Sequence, residues 1–545
     1  MNKSLRKLPL VFFGLCLLLL AVSLWLAGKG PSVQDIEPRI AEPGELLVIT
    51  GDNFGEERGR VSIAGVVPVA SAYLEWTSER IRLRIPEDAS SGLVHVVTAK
   101  GQSEGVLFTN KKDIPVVLRG AAGSEKPYIN SVSPERSPVG GLLTLRGQNF
   151  GYNRGESIVC FTWAPAAEAG AGWTDPKSRY IAASAEAFDY EGWSDREIAV
   201  RVPTGAGSGA LMVRTAKGES NTVYFELDQS AGRRIFKDKR TYTLLSSVDI
   251  RNTSRKDGGG LYLWIPRILE SHSQRNVQLI KQEPPAEIEN YNGLMLFYLK
   301  EPRRNISHKI SQTFILDRYT MESRIDPARV PSGYNTERPL YKAYTTSNVF
   351  TPAADPDIAA AAKANGGWES NPHTRARRLY EYILARMSYA AQEKYLPARD
   401  GFANRKGDSY TYATLYVALL RSSGVPARTI AGYIIGEVHI AHPHFWVELY
   451  LPNFGWMPVD PALGDRGAPE DFPVPASARE YFFGNITNRH IAFSRGLLQA
   501  KKISPYGKTI GQPEMHSLQT IYAEAVGALE SYSGVWNNLQ VIGAY

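Results

Sequence analysis

The chain has 545 residues, more than one hydrophobic core usually holds, so several domains are expected. A net charge of +7 is small for this length, and no basic tract follows the first residues, which excludes a nucleic-acid-binding surface legible from charge. The 48 Gly, 34 Pro and 28 Tyr favour β-rich architecture with many turns.

Lys3, Arg6 and Lys7 precede an uncharged apolar run from Leu8 to Gly28, within residues 1–30. The run is long enough to cross a bilayer, and the basic residues should stay on the cytoplasmic side. The expected localisation is a membrane-anchored protein with its domains outside the cytoplasm, in the periplasm or at the cell surface. Signal-peptide cleavage and secretion is the alternative. Cys16 lies in this run, so the exported part carries Cys160 alone and forms no internal disulfide. Cys160 alternates with apolar neighbours in "ESIVCFTW" and reads as a buried strand residue.

Two segments, 31–112 and 127–228, repeat one another. "ITGDNFGEERG" at Ile49–Gly59 matches "LRGQNFGYNRG" at Leu145–Gly155, offset by 96 positions. "WTSERIRLRIP" at Trp76–Pro86 matches "WSDREIAVRVP" at Trp193–Pro203, offset by 117. The second copy therefore carries a 21-residue insertion near "APAAEAGAGWTDPKSRY". Short alternating runs between Gly, Pro, Asn and Asp predict a small antiparallel sandwich for each copy. The Asn-Phe-Gly turn, the "PSVQDIEP" and "PYINSVSP" entries and the closing Gly-x-Ser run resemble the IPT/TIG family of immunoglobulin-like domains. That resemblance implies spacers or binding surfaces.

Residues 233–345 hold further strand-like runs, among them "RTYTLLSSVDIRN", "GGLYLWIPR" and "KISQTFILDRYTMESRI", which predict a third β domain. Composition then changes. "DPDIAAAAKANGG" predicts a short helix, and Asn371-Pro372 opens another with Ala376, Leu379, Tyr380, Ile383 and Leu384 at helical spacing. A third helix is expected from Ser409 to about Gly424, followed by the strands "ARTIAGYIIG" and "HFWVELYL". In the tail, 496–545, Leu518, Ile521, Ala525 and Leu529 fall at near-helical spacing, so a partly helical segment is expected.

Residues 346–495 contain "KGDSYTYATLYVALLRSSGVPAR", "HPHFWVELYLPNFGWMPVDP" and "YFFGNITNRHIAFSRG". A nucleophile at a helix start, with a histidine and an aspartate on later strands, is one way to build a thiol site. The helix N-terminus stabilises thiolate and oxyanion, the histidine takes the proton, and the carboxylate orients the histidine. These stretches resemble the bacterial transglutaminase-like superfamily of papain-like thiol enzymes. The resemblance implies an α+β core in a multidomain chain. It makes His444 the general base and Asp460 its orienting carboxylate, with Trp446, Glu448 and Trp456 as framework. Ser409 stands where the family has its cysteine.

A hydroxyl is a far weaker acid than a thiol and forms no resting ion pair with histidine. Ser409, His444 and Asp460 are therefore expected to be a degenerate triad, in a protein that binds a peptide or a protein of the cell envelope without thiol catalysis. A serine-based amidase, peptidase or acyltransferase is the first alternative, and a structural bridge in the envelope the second. Tyr410 and Tyr412 either line a cleft or pack the helix. Arg428 reads as structural. His439, His442 and His444 form a His-rich string, but no cysteine and no acidic residue at an indicative spacing accompany it, so no metal site is assigned. No cofactor is assigned, and the partners expected are the envelope peptide or protein and the membrane, not nucleic acid.

Overall fold

The computed structural model describes residues 30–111, 126–169, 179–300, 302, 306–392, 395–503, 508–509, 514–515 and 522–545. The apolar run Leu8–Gly28 lies outside them. No helix among the described residues is long and apolar enough to cross a membrane.

Each repeat forms a sandwich of two sheets. In the first, Leu46–Asp52 lies between Ser32–Glu37 and Arg80–Arg84; in the second, Leu142–Gln148 lies between Tyr128–Ser133 and Glu197–Arg201. The register is conserved between the copies. Leu47 faces Leu83 and Ile49 faces Ile81; Leu143 faces Val200 and Leu145 faces Ile198. All eight side chains are buried, because alternation puts every second residue against the opposite sheet.

The two repeated sequence blocks meet in space. Trp76 Nε1 donates to the Gly55 carbonyl (3.1 Å), and Trp193 Nε1 to that of Gly151 (3.1 Å), so each tryptophan ties down its Asn-Phe-Gly turn. Asn53 and Asn149 hold positive φ (62° and 63°), which asparagine tolerates, and Phe54 and Phe150 fill the core beneath. Gly51 and Gly147 open these turns where the neighbouring strand comes close. A Cβ at Gly147 would sit 2.1 Å from the Tyr128 carbonyl oxygen and 2.4 Å from the Phe150 ring. The second sandwich differs where the insertion lies. The strand Ile158–Trp163, which carries buried Cys160, runs into the short helix Ala164–Ala169, and Tyr180–Ala182 then adds an edge strand.

From Gly232 onward one apolar cluster joins the remaining elements. A 35-residue strand, β1 (Gly232–Pro266), pairs along its first half with β2 (His308–Ile325). Tyr242, Leu244, Val248, Ile250, Leu261, Leu263 and Ile265 of β1 share a cluster with three helices: α1 (Pro356–Gly366), α2 (Pro372–Arg386) and α3 (Ser409–Ser422). Asp355 caps α1 and Asn371 caps α2, each accepting from two backbone N–H groups ahead of a proline at the first turn. Helix α3 is buried from Ser409 to Arg421, the mark of a helix surrounded on every side. It lies on a four-stranded sheet in the order β5-β4-β3-β6: β3 (Ala427–Ile435), β4 (Ala441–Leu451), β5 (Gly455–Val459) and β6 (His490–Arg495).

The tail corrects the helical expectation. Tyr522–Trp536 is a strand, β7, paired antiparallel with β1, while Leu518 and Ile521 lie outside the described residues. The reason is that both of its faces are covered. Ala523, Ala525 and Leu529 enter the main cluster, and Tyr522 and Val526 a second one with Tyr262 and Trp264. A strand buried on both faces loses its polar alternation and is hard to tell from a helix by periodicity.

Gly147→Ala is expected to destabilise the second sandwich by about 1–3 kcal/mol through steric strain, read as a lower urea midpoint. Gly192→Ala, whose Cβ would meet only Ala199 at an ordinary 3.5 Å, serves as the control and should shift it little.

Candidate active site

Ser409 is the first residue of α3. Asp408, the N-cap, accepts from Thr411 N–H (3.1 Å) and so fixes where the helix begins. His444 lies on β4 and Asp460 follows directly on β5. The β4–β5 ladder reaches only to the Val447–Val459 pair, so the part of β4 holding His444 and Phe445 is free of β5 on that edge. Ser409 and Asp460 both reach β4 there.

The dyad is formed. His444 Nε2 lies 2.7 Å from Asp460 Oδ2, and the two side chains are 3% and 1% exposed. Asp460 Oδ1 accepts from Leu463 N–H (2.9 Å), which orients the carboxylate from the other side. Burial acts to raise the Asp460 pKa, but the charge and hydrogen bond of His444, then those of His490, outweigh it and hold the carboxyl well below its usual range. The His444 Nε2 proton is thus committed to Asp460. Its Nδ1, the nitrogen left to receive a proton, has no hydrogen-bond partner among the described residues.

The serine is not joined to this dyad. Ser409 Oγ accepts from the Phe445 N–H at 3.3 Å, and no hydrogen bond links it to His444. Ser409 is 6% exposed, and His444 and Asp460 are also buried. Attack by a hydroxyl requires the base to take its proton during the step, so an unengaged imidazole leaves the oxygen a neutral alcohol.

Sequence reasoning missed His490, on β6. Its Nε2 approaches the same Asp460 Oδ2 at 3.3 Å, and its Nδ1 lies 2.9 Å from Thr487 Oγ1. An ionised Asp460 can only accept, so its contact calls for the His490 proton on Nε2 and leaves Nδ1 to accept from Thr487 Oγ1. Trp446, Phe472 and Phe482 surround the ring. Burial lowers the His490 pKa to about 4, with the Asp460 hydrogen bond opposing. Only the run "NRHIAFSRG" signalled it, and nothing in its spacing tied that histidine to Asp460.

His444, Asp460 and His490 are also the residues here that could hold a metal, with ligand atoms within 4.8 Å of one another. The 2.7 Å His444–Asp460 contact also has the geometry of a hydrogen bond. The His439–His442–His444 string does not converge: His442 pairs with Asp471 (2.8 Å), and His439 takes a positive φ of 62°. Tyr410 is a packing residue, stacked on Tyr395 and edge-on to Phe445, and the Tyr412 hydroxyl bonds Asp465. Arg428 forks onto Glu448 Oε2 (2.9 and 2.7 Å) and lies over the Trp456 ring, binding β3, β4 and β5 together.

Comparison with known proteins agrees with this geometry in outline. Residues 360–461 match the transglutaminase-like superfamily, and residues 31–110 and 127–226 each match the IPT/TIG domain. The chain thus contains a transglutaminase-like domain and two IPT/TIG domains. A protein-glutamine gamma-glutamyltransferase of Pseudomonas aeruginosa is 41% identical over 78 residues, 13% of this chain and 11% of that protein. An uncharacterized protein of Haemophilus influenzae is 28% identical over 162 residues, 24% of this chain and 43% of that one. The chain therefore spans less than half the length of either curated relative. Among solved structures, the periplasmic domain of TgpA from Pseudomonas aeruginosa is similar at a TM-score of 0.25 and 16% identity, over 44% of this chain and 91% of that one.

Asp460→Ala removes the shared acceptor of two buried imidazoles and is expected to cost about 3–5 kcal/mol of unfolding free energy, measured by urea denaturation at pH 7. His490 stays neutral when folded but takes up a proton when unfolded below its ordinary pKa of 6.5. Its contribution is therefore complete above pH 6.5 and drains away as pH falls toward 4. In His490→Gln the fall in stability across that window should be shallower than in the wild type.

Proposed function

We propose that this chain is a membrane-anchored, extracytoplasmic transglutaminase-like protein that binds a peptide or protein of the cell envelope, and that its Ser409–His444–Asp460 triad performs no thiol chemistry. One observation carries the reading. At the position where the resembled family has its nucleophile, the side chain is a hydroxyl that accepts from the Phe445 N–H and makes no bond to His444.

The chemistry supports it. A thiol near a helix start can share its proton with histidine before substrate arrives, whereas a serine must be deprotonated during attack. Here the base is oriented by Asp460 but has nothing on its Nδ1 side to act upon. The other thiol offers no substitute: Cys160 is buried in the second sandwich, and burial pushes its pKa up to about 11. The extracytoplasmic placement rests on Lys3, Arg6 and Lys7 ahead of the Leu8–Gly28 run, and is consistent with the periplasmic domain among the similar structures.

Ser409→Cys tests the triad. The helix start and the His444–Asp460 dyad should give the new thiol an apparent pKa well below 8.5 in iodoacetamide alkylation against pH, lost when His444→Ala is added. An ordinary thiol profile indifferent to His444 would mean that the triad positions do not cooperate. Labelling of wild-type Ser409 by a fluorophosphonate would instead establish a serine hydrolase.

Topology is tested separately. Protease added to intact spheroplasts should degrade the domains, with the chain fractionating with membranes. Protection until lysis would reverse the orientation.

A further inference from the structure

A cleft of about 1010 Å³ opens between the second sandwich and the transglutaminase-like core, at the upper end of the size range of small-ligand sites. Five arginines and four acids line it, so its walls are close to neutral and suit a ligand of low net charge rather than a polyanion. Four of the arginines are occupied. Arg154 donates to the Ser157 carbonyl, Arg214 pairs with Glu219, Arg275 pairs with Glu270 and donates to the Tyr180 carbonyl, and Arg428 holds Glu448.

Arg495 is the exception. Its side chain makes no hydrogen bond and no ion pair with any described residue. It also lines two smaller clefts. Burial lowers its pKa, and the neighbouring Arg428 lowers it further, opposed by Glu448 and by exposed Glu186. Glu448 is already engaged by Arg428, and Glu186 lies beyond ion-pair distance. The guanidinium, partly open to the cleft, offers a planar fork of N–H donors that matches a carboxylate.

The lining of the same cleft supplies a second, independent feature. Tyr180–Ala182 is an edge strand, paired on one side only, with the strand holding Cys160. The backbone bonds Trp163 N–H to Arg179 carbonyl and Ala183 N–H to Val159 carbonyl fix the phase of this ladder. Residues 179, 181 and 183 therefore point their peptide groups inward, and Tyr180 and Ala182 point theirs outward. The Tyr180 carbonyl is taken by Arg275. The N–H and C=O of exposed Ala182 are left on the cleft side, as an unpaired strand edge is for an added peptide.

We infer that this cleft captures the carboxyl-terminal end of an extended peptide, its main chain pairing with Ala182 and its terminal carboxylate held by the Arg495 fork. The near-neutral walls, the single unmatched cation and the strand edge favour a peptide monoanion over a carboxylated sugar, which would have no use for the edge. The inference rests on the binding-protein reading but not on the state of Ser409. Capture is read on the wild-type protein, whereas the triad is read on Ser409→Cys, so either can fail alone.

The test uses the full chain in detergent, immobilised and exposed to N-acetylated random hexapeptides, with mass-spectrometric readout of retained peptide. One pool has free carboxyl termini and the other carboxamides. Retention of the free-acid pool should exceed that of the amide pool at least tenfold. It should fall by a similar factor in Arg495→Gln and in Ala182→Pro, which removes the outward N–H without touching the existing ladder. Wild-type-like thermal melts would show that both variants are folded, and the Ala182→Pro result stands if Arg495→Gln is not. Equal retention of the two pools, no retention of either, or retention unchanged in both folded variants would overturn the inference. So would capture of uronic-acid oligosaccharides in place of the peptides.

Discussion

A single buried carboxylate fixes the geometry of the core. Asp460 accepts from His444 and His490 through one oxygen and from the Leu463 N–H through the other. Its partners come from β4, from β6 and from the turn after β5, so one residue locks three strand positions together. Such a group is stable as an anion only while every partner is in place, because an unpaired buried charge is far more expensive than the hydrogen bonds it makes. The short helix that Asp460 caps, and the aromatic shell of Trp446, Phe472 and Phe482, keep water from that carboxylate.

The same sheet face continues from the dyad to a second polar centre. Alternation along β4 places His444, Trp446, Glu448 and Tyr450 on one side, while Phe445, Val447 and Leu449 enter the main cluster with α3. His444 and Glu448 are about 13 Å apart along the strand at its normal rise. Trp446 stands between them, stacked near His444 at one end and beside the Arg428–Glu448 pair at the other. The second sandwich covers this far end. Trp163 Nε1 donates to the His272 carbonyl (3.0 Å), and Thr204 Oγ1 accepts from the Trp456 N–H (3.2 Å). Just beyond the sandwich, Arg234 at the start of β1 reaches the Phe454 and Trp456 carbonyls. The immunoglobulin-like module is thus fastened to the core by directional bonds, and the cleft holding Arg495 is what remains open between them.

This arrangement separates two properties that a transglutaminase-like enzyme would combine. The oriented imidazole–carboxylate dyad is formed, and Asp460 and His490 also hold the strands. Ser409, at the start of α3, hydrogen-bonds the neighbouring Phe445 N–H instead of His444. The strand-locking contacts of Asp460 and His490 give these residues a structural use independent of any chemistry at Ser409.

The sequence alone determined whatever local rules write into it. Two small antiparallel sandwiches followed from the repeated alternating runs and their turn residues, while the pairing of Leu47 with Leu83 and of Leu143 with Val200 came from the structure. Helix α1 followed from its Ala-rich run and Gly-Gly stop and α2 from its Asn371-Pro372 start and 3.6-residue spacing, and the roles of His444 and Asp460 were implied by family resemblance. Tertiary structure decided what depends on partners far away in the chain. β7 is a strand because β1 supplies a ladder from more than 250 residues earlier and packing covers both of its faces. His490 joins Asp460 because β6 pairs with β3, a register no spacing in "NRHIAFSRG" encodes. The engagement of Ser409 with Phe445 and the unmatched guanidinium of Arg495 were equally hidden. A residue's type gives its capacity to hydrogen-bond, but only the assembled surroundings determine whether that capacity is used.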